Sequence, residues 1–335
     1  MKKTPLIKLK SFLAILAGIV LLAVAAGCSS SADSAEASPE NIRMDYAYYS
    51  PPSLVLKKFG WLEEEFKEEG IEVEWVLSQG SNKALEFLNS DSIDFGSSAG
   101  AAALMSKANG APIKNVYIYS KPEWTALVTN EGSGIESVED LKGKKVAATL
   151  GTDPYIFLLR SLAGSDISAD DVEIVNLQHG DGASALSSGQ VDAWAGLDPH
   201  MARVELESGA KLFHRNADLN TYGFLNVREE FAEKHPEYVN RVIGAYEKAR
   251  KWILENPDEA AEILAEEAGI SVDVAKIQME RNDFADPVPG DVHHEALNAA
   301  GKILQEGEVI ESDVDVKETT DSLIDSSFAE ETIEK

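Results

Sequence analysis

The feature that most limits the possible folds of this 335-residue chain is an alternation of short apolar strands with amphipathic helices from Asn41 to about residue 228, after which the pattern is mainly helical. The loop after each strand carries Gly, Ser or Pro, as in "SPP" at residues 50–52 and "SQGS" at residues 78–81. Strands that alternate with helices in this way are typical of open α/β sheets. Because the chain is long for a single hydrophobic core, the sequence predicts two α/β lobes.

Two crossovers are predicted to divide the chain into these lobes. They lie near residues 124–130 and 220–227, so that lobe 1 holds residues 41–126 and 224–335 and lobe 2 holds residues 127–223. Each lobe is predicted to be an open mixed sheet flanked by helices, with the two crossovers as hinges. Ligands on open α/β sheets bind beyond the carboxyl ends of the strands, so two facing lobes would share one cleft.

The first 27 residues have the composition of a signal peptide. A basic start with four lysines precedes an apolar stretch at residues 12–26, which is too short to favour a membrane-spanning helix. The small residues before Cys28 resemble a bacterial lipobox, in which the cysteine is lipid-modified and begins the mature chain. Residues 28–40 are small and polar and are predicted to be a flexible tether, anchored on the extracytoplasmic face of the cell membrane. An uncleaved membrane anchor is the alternative interpretation.

Composition argues against several classes of function. The net charge of −28 argues against nucleic acid or anionic lipid as a direct partner. Cys28 is the only cysteine, so the sequence predicts no disulfide, no cysteine metal site and no thiol nucleophile. The six histidines show no zinc-like spacing, and the chain has no Gly-x-Ser-x-Gly or phosphate-binding motif. We therefore expect a monomer with no metal and no cofactor.

Three predicted helix starts could together hold an anionic group. They follow Ser81, Ser98 and Thr152, where a small hydroxyl residue or glycine lets the backbone approach a ligand. At the third, Asp153 is predicted to be the N-cap and Pro154 the first helical residue. Micromolar binding needs about 8 kcal/mol, whereas one helix N-terminus supplies about 0.3–1 kcal/mol, and up to about 2 kcal/mol when partly buried. Several such turns must therefore converge on an anionic ligand.

Several segments together resemble one family. They are the lipobox at Cys28 and the stretches "IDFGSSAGAAAL", "VEDLKGKKVAATLGTDPYIFLLRSL", "VDAWAGLDPHMARVE", "NPDEAAEILAEEAGI" and "VDVKETTDSLIDSSFAEE". The chain resembles the solute-binding lipoproteins of ABC importers, in the group that binds aliphatic sulfonates, taurine and nitrate. The resemblance implies a two-lobed fold of the type II periplasmic-binding-protein class, which closes over a small anionic or zwitterionic solute and delivers it to a membrane permease. An aliphatic sulfonate or taurine is the expected solute.

One departure from the family affects the expected ligand. Family members often have Lys-Gly-Ser-Ser or Lys-Gly-Ser-Thr where this chain has Leu150-Gly151-Thr152-Asp153. Asp153 either caps its own helix or faces the cleft, where it would repel a plain anion and favour a zwitterion such as taurine. The resemblance also places an arginine near Arg281, which could bind an oxyanion or lie on the surface.

The candidate ligand-binding residues lie at predicted strand ends and crossovers. Asp181 and Asp198 could orient a cationic group of the ligand, or they could cap a helix and lock a loop. Four aromatic residues could form walls of the cleft or belong to the core. The full predicted set is Tyr49, Ser50, Gln79, Ser81, Ser98, Trp124, Gly151, Thr152, Asp153, Asp181, Trp194, Asp198, Tyr222 and Arg281.

Three other functions fit parts of the sequence. The same fold could bind a different nitrogenous solute, such as nitrate or a thiamine precursor, or present its ligand to a membrane sensor. The fold also resembles that of thiamine-pyrimidine synthases, which use an iron-binding, cysteine-rich segment. Because this chain lacks such a segment, we expect a binding protein and not an enzyme.

Overall fold

The computed structural model describes residues 38–333. The predictions of a signal peptide at residues 1–27 and of lipidation at Cys28 lie outside these residues, as does most of the predicted tether. No helix among residues 38–333 has the length and apolar character that a membrane crossing requires.

Eleven strands in the described part of the chain form two separate mixed sheets. The strands are β1 (Asn41–Tyr46), β2 (Glu72–Leu77), β3 (Phe95–Ala99), β4 (Ile113–Pro122), β5 (Thr125–Thr129), β6 (Lys145–Ala148), β7 (Glu173–Asn176), β8 (Ala193–Leu197), β9 (Lys211–His214), β10 (Gly223–Arg228) and β11 (Asn282–Asp283). The first sheet has the order β11-β4-β10-β3-β1-β2 and the second has the order β7-β6-β8-β5-β9.

Helices flank both sheets. They are α1 (Pro51–Phe59), α2 (Trp61–Phe66), α3 (Ser81–Asn89), α4 (Gly100–Ala108), α5 (Asp153–Gly164), α6 (His179–Ser187), α7 (His200–Ser208), α8 (Glu229–Lys234), α9 (Pro236–Glu255), α10 (Pro257–Ala268), α11 (Val272–Glu280), α12 (Asp291–Glu306), α13 (Val316–Leu323) and α14 (Ser327–Ile333). The helical pattern of residues 54–70 predicts one helix, but the structure breaks it at Gly60, whose left-handed backbone (φ 64°) ends α1.

The chain changes sheets twice. It leaves the first sheet between Pro122 and Thr125 and returns to it between His214 and Gly223. In the first sheet, β1 pairs in parallel with β2 and β3, so their carboxyl ends lie at the same edge. In the second sheet, β6 pairs in parallel with β7 and β8. The division into two moving lobes, with the boundaries given above, stays a prediction.

Helix α5 contributes side chains to the cores of both sheets. Ile156 and Leu159 belong to the core of the first sheet, whereas Phe157, Leu158 and Leu162 belong to a core of the second. A helix that is apolar on two faces is buried between two packed layers. The start of α5 is therefore fixed near both crossovers.

Candidate ligand-binding site

A cavity of about 340 Å³ lies where loops from both sheets meet. Residues 48–49 and 77–79 line it from the ends of β1 and β2, and residues 178–181 and 197–200 line it from the ends of β7 and β8. All four segments are at carboxyl ends of strands, where open α/β sheets bind ligands. The volume is that of a pocket for a small molecule, for which about 300–1,000 Å³ is usual.

Four helices begin at or within two residues of these lining segments. They are α1 and α3 from the first sheet and α6 and α7 from the second, and each is nine residues long. The first N–H groups of a helix have no acceptor within the helix, and they carry a partial positive charge. The starts of α3, α6 and α7 therefore present N–H groups that favour an anionic or strongly polar ligand, whereas α1 begins with two prolines, which have no backbone N–H.

Only one of the three helix starts predicted from sequence adjoins the cavity, namely that of α3 at Ser81. The helices after Ser98 and Thr152 begin elsewhere, and neither residue lines the cavity. β3 lies between β1 and β10, so that Ser98 is covered on both sides. The starts of α6 and α7, which the sequence analysis did not propose, lie at the cavity instead.

The two histidines of the cavity are neutral at neutral pH. Burial lowers the pKa of His179 to about 3, and the nearby His200 adds to this effect. Burial also lowers the pKa of His200 to about 4. Among the described residues that line the cavity, there is no lysine or arginine. An anion would therefore be held by N–H and O–H donors and by helix N-termini, without a direct cation.

Four of the predicted ligand-binding residues line the cavity. They are Tyr49, Gln79, Asp181 and Asp198. The Tyr49 hydroxyl donates to the carbonyl of Ser97 (2.9 Å), and Asp181 is exposed near the start of α6. An exposed carboxylate at the rim is placed to contact a cationic part of a ligand while the helix N-termini face the anionic part.

Asp198 and Arg281 form an ion pair that joins the two sheets. One Arg281 nitrogen donates to both carboxylate oxygens of Asp198 (3.1 and 3.2 Å), and another donates to Glu205 in α7. Both partners are buried, with 8% of the Arg281 side chain and none of the Asp198 side chain exposed. Burial raises the pKa of Asp198 to about 6, and Arg281 opposes this rise.

Arg281 does not line the cavity; its guanidinium binds carboxylates of the protein. Asp198 also accepts from the Ala202 N–H (2.9 Å), which locks the loop before α7.

Asp153 joins both crossovers and does not line the cavity. Its carboxylate accepts hydrogen bonds from Trp124 Nε1 (2.8 Å), Thr221 N (2.9 Å) and Thr221 Oγ1 (2.7 Å). Trp124 lies between β4 and β5, and Thr221 lies between β9 and β10. The N-cap of α5 is Thr152, so the predicted N-cap at Asp153 is wrong by one residue. Burial raises the pKa of Asp153, and its three donors oppose that rise.

The predicted serines do not line the cavity and are hydrogen-bonded within the protein. The Ser81 hydroxyl oxygen accepts from the Ala99 N–H (2.9 Å), and that of Ser98 accepts from Asn226 Nδ2 (2.8 Å). The Ser50 hydroxyl oxygen accepts from a neighbouring serine hydroxyl (3.3 Å). These contacts connect the strand ends of the first sheet to one another, because small hydroxyl side chains fit between closely packed strands.

Gly151 and Thr152 form the turn before α5. Gly151 has a left-handed backbone (φ 78°), and a side chain there would lie 3.3 Å from the Cβ atom of Asn82. The Thr152 hydroxyl donates to the carbonyl of Thr149 (2.6 Å). The turn therefore packs beside the first turn of α3, and neither residue lines the cavity.

Trp194 and Tyr222 do not line the cavity either. Trp194 is fully buried in the core of the second sheet. Tyr222 packs its ring against that of His293, with centroids 4.2 Å apart. A long aromatic side chain on a central strand or a crossover is drawn into the core by the apolar area that it buries.

Sequence reasoning missed several residues that line the cavity, namely Tyr48, Ser78, Gln178, His179 and His200. Gln178 Oε1 is buried and has no hydrogen-bond partner among the described residues. Their position in the sequence could have predicted them, since each of these residues lies at the carboxyl end of a strand. The histidines were considered only as metal ligands. Among residues 38–333, no group of three or more histidine, cysteine, aspartate or glutamate side chains is arranged to hold a metal ion.

Asp45 is a fully buried carboxyl on β1, the strand that leads to the cavity residues Tyr48 and Tyr49. Its Oδ1 atom accepts from the N–H of Ser97 (2.8 Å), the residue whose carbonyl binds the Tyr49 hydroxyl. Burial raises the pKa of Asp45 from 3.8 to about 7, and hydrogen bonds from serines oppose this only in part. The Asp45 carboxyl therefore ionises near neutral pH.

Stability should depend on pH through Asp45. Because its pKa is higher in the folded protein, folding takes up a proton between pH 3.8 and about 7. Raising the pH from about 4 to about 7 should therefore remove up to about 4 kcal/mol of the free energy of unfolding, at about 1.36 kcal/mol per pKa unit, with little further change above pH 7. The side chain at position 45 of the Asp45→Asn variant cannot ionise. The free energy of unfolding of the variant, relative to that of the wild-type protein, should therefore be higher at pH 8 than at pH 5. Urea unfolding at both pH values measures this; a constant difference between the two proteins contradicts it.

The chain is similar to a known protein family and to several named proteins. A family model described as "NMT1/THI5 like" matches residues 54–260. A protein of Bacillus subtilis (strain 168) named as an aliphatic sulfonates-binding protein is 29% identical over 97% of this chain and 97% of its own length. A protein of the same name from Escherichia coli (strain K12) is 28% identical over 90% of this chain and 95% of its own. A yeast protein named as a 4-amino-5-hydroxymethyl-2-methylpyrimidine phosphate synthase is 28% identical over 58% of this chain.

The solved structures agree with this picture. The alkanesulfonate-binding protein SsuA from Xanthomonas axonopodis pv. citri, bound to MOPS, has a TM-score of 0.78 and 26% identity, and the match covers 84% of this chain and 98% of that one. The predicted fold class, α/β with two mixed sheets flanked by helices as in periplasmic binding proteins, is confirmed. The resemblance to sulfonate-binding proteins is confirmed as well.

Proposed function

This chain belongs to the NMT1/THI5-like family, and we propose that it is the solute-binding component of an ABC importer that captures an aliphatic sulfonate. The observation that carries the proposal is the cavity itself, where segments from both sheets meet with the starts of α3, α6 and α7. A sulfonate group has three oxygen acceptors and one negative charge. It therefore suits a site made of N–H and O–H donors and helix N-termini.

The names of the relatives support this ligand class. Proteins that match nine-tenths or more of this chain are named as sulfonate-binding proteins, and the similar SsuA structure holds MOPS, itself a sulfonate. Taurine stays within the proposal as a zwitterion, because its ammonium group could reach the exposed Asp181 while its sulfonate lies deeper. Nitrate is a weaker candidate, because so small an anion leaves much of a cavity of about 340 Å³ unfilled.

Binding without catalysis is the role proposed here. The pyrimidine phosphate synthases in the family match only 58% of this chain. The cavity combines neutral histidines, amides and hydroxyls with two carboxylates, of which Asp198 is paired to Arg281 and Asp181 is exposed. Capture and release of a solute need only those groups, whereas a reaction would need a nucleophile or an acid and base with matched pKa values.

Delivery to a membrane permease completes the proposed role. The two lobes close over the solute about the crossovers, and the closed form binds the permease. We also propose that the mature chain begins at Cys28 and is held as a lipid-anchored monomer on the extracytoplasmic face of the membrane. A ligand-presenting protein for a membrane sensor would have the same site, and neighbouring permease and ATPase genes would favour import.

Isothermal titration calorimetry tests the ligand class. We expect the purified chain to bind ethanesulfonate and MOPS with a micromolar or lower Kd, and to bind nitrate at least tenfold more weakly. The double variant Gln79→Ala with Gln178→Ala removes two amide groups from the cavity wall. It should weaken sulfonate binding about tenfold or more, since a neutral hydrogen bond contributes about 0.5–1.5 kcal/mol.

The control is Gln190→Ala, at an exposed glutamine outside the cavity. It should bind each sulfonate like the wild-type protein. If the wild-type chain gives no heat with any sulfonate, the ligand class is wrong. If the double variant binds as tightly as the control, the cavity is not the binding site.

A further inference from the structure

Gly80 and the ring of His179 belong to segments of opposite sheets and lie close together. Gly80 is the N-cap of α3, and His179 is the first residue of α6. A Cβ atom on Gly80 would lie only 2.8 Å from His179 Nε2 and 2.9 Å from Asn82 Oδ1. Gly80 has extended backbone angles (φ 170°, ψ 164°), so the lack of space, and not the conformation, requires glycine here.

The His179 ring is held in a fixed orientation on its own side. The Thr149 hydroxyl lies 2.7 Å from the carbonyl of Leu177 and 3.1 Å from His179 Nδ1. A carbonyl can only accept, so the hydroxyl donates its proton to Leu177 and accepts from Nδ1–H. Nε2 is then an acceptor, and it is buried without a hydrogen-bond partner among the described residues. The ring cannot turn away from Gly80 without losing its bond to Thr149.

We propose that Gly80 is a positioning residue for lobe closure, whose missing side chain lets the start of α3 reach His179 at the start of α6. The inference rests on the proposed function, because it describes how the two lobes close around the solute. Contact at this point brings the N-termini of α3 and α6 to one small ligand. Gly80 itself need not touch that ligand.

The contact matters only when the lobes are together. A methyl group on Gly80 would overlap the imidazole, since real Cβ atoms do not approach other heavy atoms to 2.8 Å. In an open form the His179 ring is apart from Gly80, and only the Asn82 side chain, on the same helix α3, must rotate to make room for the methyl group. Gly80→Ala should therefore remove the closed form while leaving the fold intact, and a ligand that binds the closed form then loses apparent affinity.

The test combines calorimetry with a distance measurement. Cys28 is the only cysteine, so the full chain carrying Cys28→Ser accepts spin labels at Glu86→Cys on α3 and Ser184→Cys on α6, both exposed. With ethanesulfonate as the probe, we expect Gly80→Ala to bind at least tenfold more weakly and to keep the longer, open distance. Gly164→Ala is the matched control, because a Cβ atom there has no neighbour within 4 Å. It should close and bind like the unmodified chain.

A second variant tests the steric cause. Adding His179→Ala to Gly80→Ala makes room for the methyl group, and we expect the short distance to return. Closure and binding of Gly80→Ala equal to those of Gly164→Ala would overturn the inference. A folding defect in Gly80→Ala, seen by circular dichroism, would also overturn it unless His179→Ala repairs the defect.

The distances between the two spin labels, measured without any ligand, test this inference independently of the proposed function. Without any solute, we expect a fraction of the chain at the short distance of this structure, and we expect Gly80→Ala to lack it. If no sulfonate binds but the unmodified chain and Gly80→Ala still differ in this way, the proposed ligand class is wrong and the closure contact is supported. If the sulfonate binds and Gly80→Ala leaves both distance distributions unchanged, the closure contact fails alone.

Discussion

Replacing Arg281 with methionine is expected to lower the free energy of unfolding by about 3–5 kcal/mol, the usual result of removing one partner of a buried ion pair. The substitution leaves the fully buried Asp198 carboxylate without its cation. The pKa of Asp198, about 6 in the presence of Arg281, should then rise further, so the carboxyl becomes protonated at neutral pH. The loss of stability should consequently be smaller at pH 5 than at pH 8. Urea unfolding of both proteins at the two pH values measures the effect.

Two further variants make the Arg281 test specific. Asp198→Asn in the Arg281→Met background removes the buried charge and should recover part of the lost stability. Arg215→Met breaks another ion pair, in which two Arg215 nitrogens bind the two Glu123 oxygens; this pair is partly exposed, so the expected cost is only about 0–1 kcal/mol. Equal effects of Arg281→Met and Arg215→Met would show that the Asp198 pair is not an important connection between the sheets.

Replacing Asp153 with alanine is expected to cost about 2–6 kcal/mol, because two buried donors lose their acceptor at about 1–3 kcal/mol each. These donors are Trp124 Nε1 and Thr221 N, one at each crossover. Had Asp153 been only the N-cap of α5, the cost would be about 1 kcal/mol. Denaturant unfolding therefore distinguishes a helix cap from a connection between the crossovers.

The matched control for Asp153 is Asp315→Ala. Asp315 is the N-cap of α13, and its side chain accepts from the N–H of Glu318. Its loss should cost about 1 kcal/mol, as for other N-caps. A cost at Asp153 no greater than that at Asp315 would contradict the role assigned to the carboxylate. A change in the preference between taurine and ethanesulfonate in Asp153→Ala, with stability unchanged, would instead indicate contact with the ligand.

Both predictions concern residues for which the sequence left a ligand contact and a structural role open, and neither residue lines the cavity. Arg281 and Asp153 carry charges, and sequence reasoning assigns a charge near a cleft to the ligand. Inside the folded chain these charges have partners from distant segments: Asp198 is 83 positions from Arg281, and Thr221 is 68 positions from Asp153. No local pattern reveals such a partner, because it depends on how the two sheets pack.

The order of strands and helices could be predicted from the sequence because it depends on local signals. Apolar periodicity, glycine and proline at strand ends, and the length of each segment determine where a strand or a helix forms. The position of the cavity was also partly readable, since ligands bind at carboxyl ends of strands. Tyr49, Gln79, Asp181 and Asp198 were predicted on that basis, and all four line the cavity.

The sequence by itself determined an α/β chain with two crossovers and its likeness to sulfonate-binding proteins, because these rest on periodicity and on continuous motifs. Only the tertiary structure decided which helix starts face one another. The starts of α6 and α7 reach the cavity, while those of α4 and α5 do not line it and are instead hydrogen-bonded to the second crossover, through Ala101 N–H to Thr221 and through Asp153 to Thr221. The physical reason is that a helix N-terminus attracts an anion equally wherever it occurs, and only the packing of two sheets brings particular N-termini together.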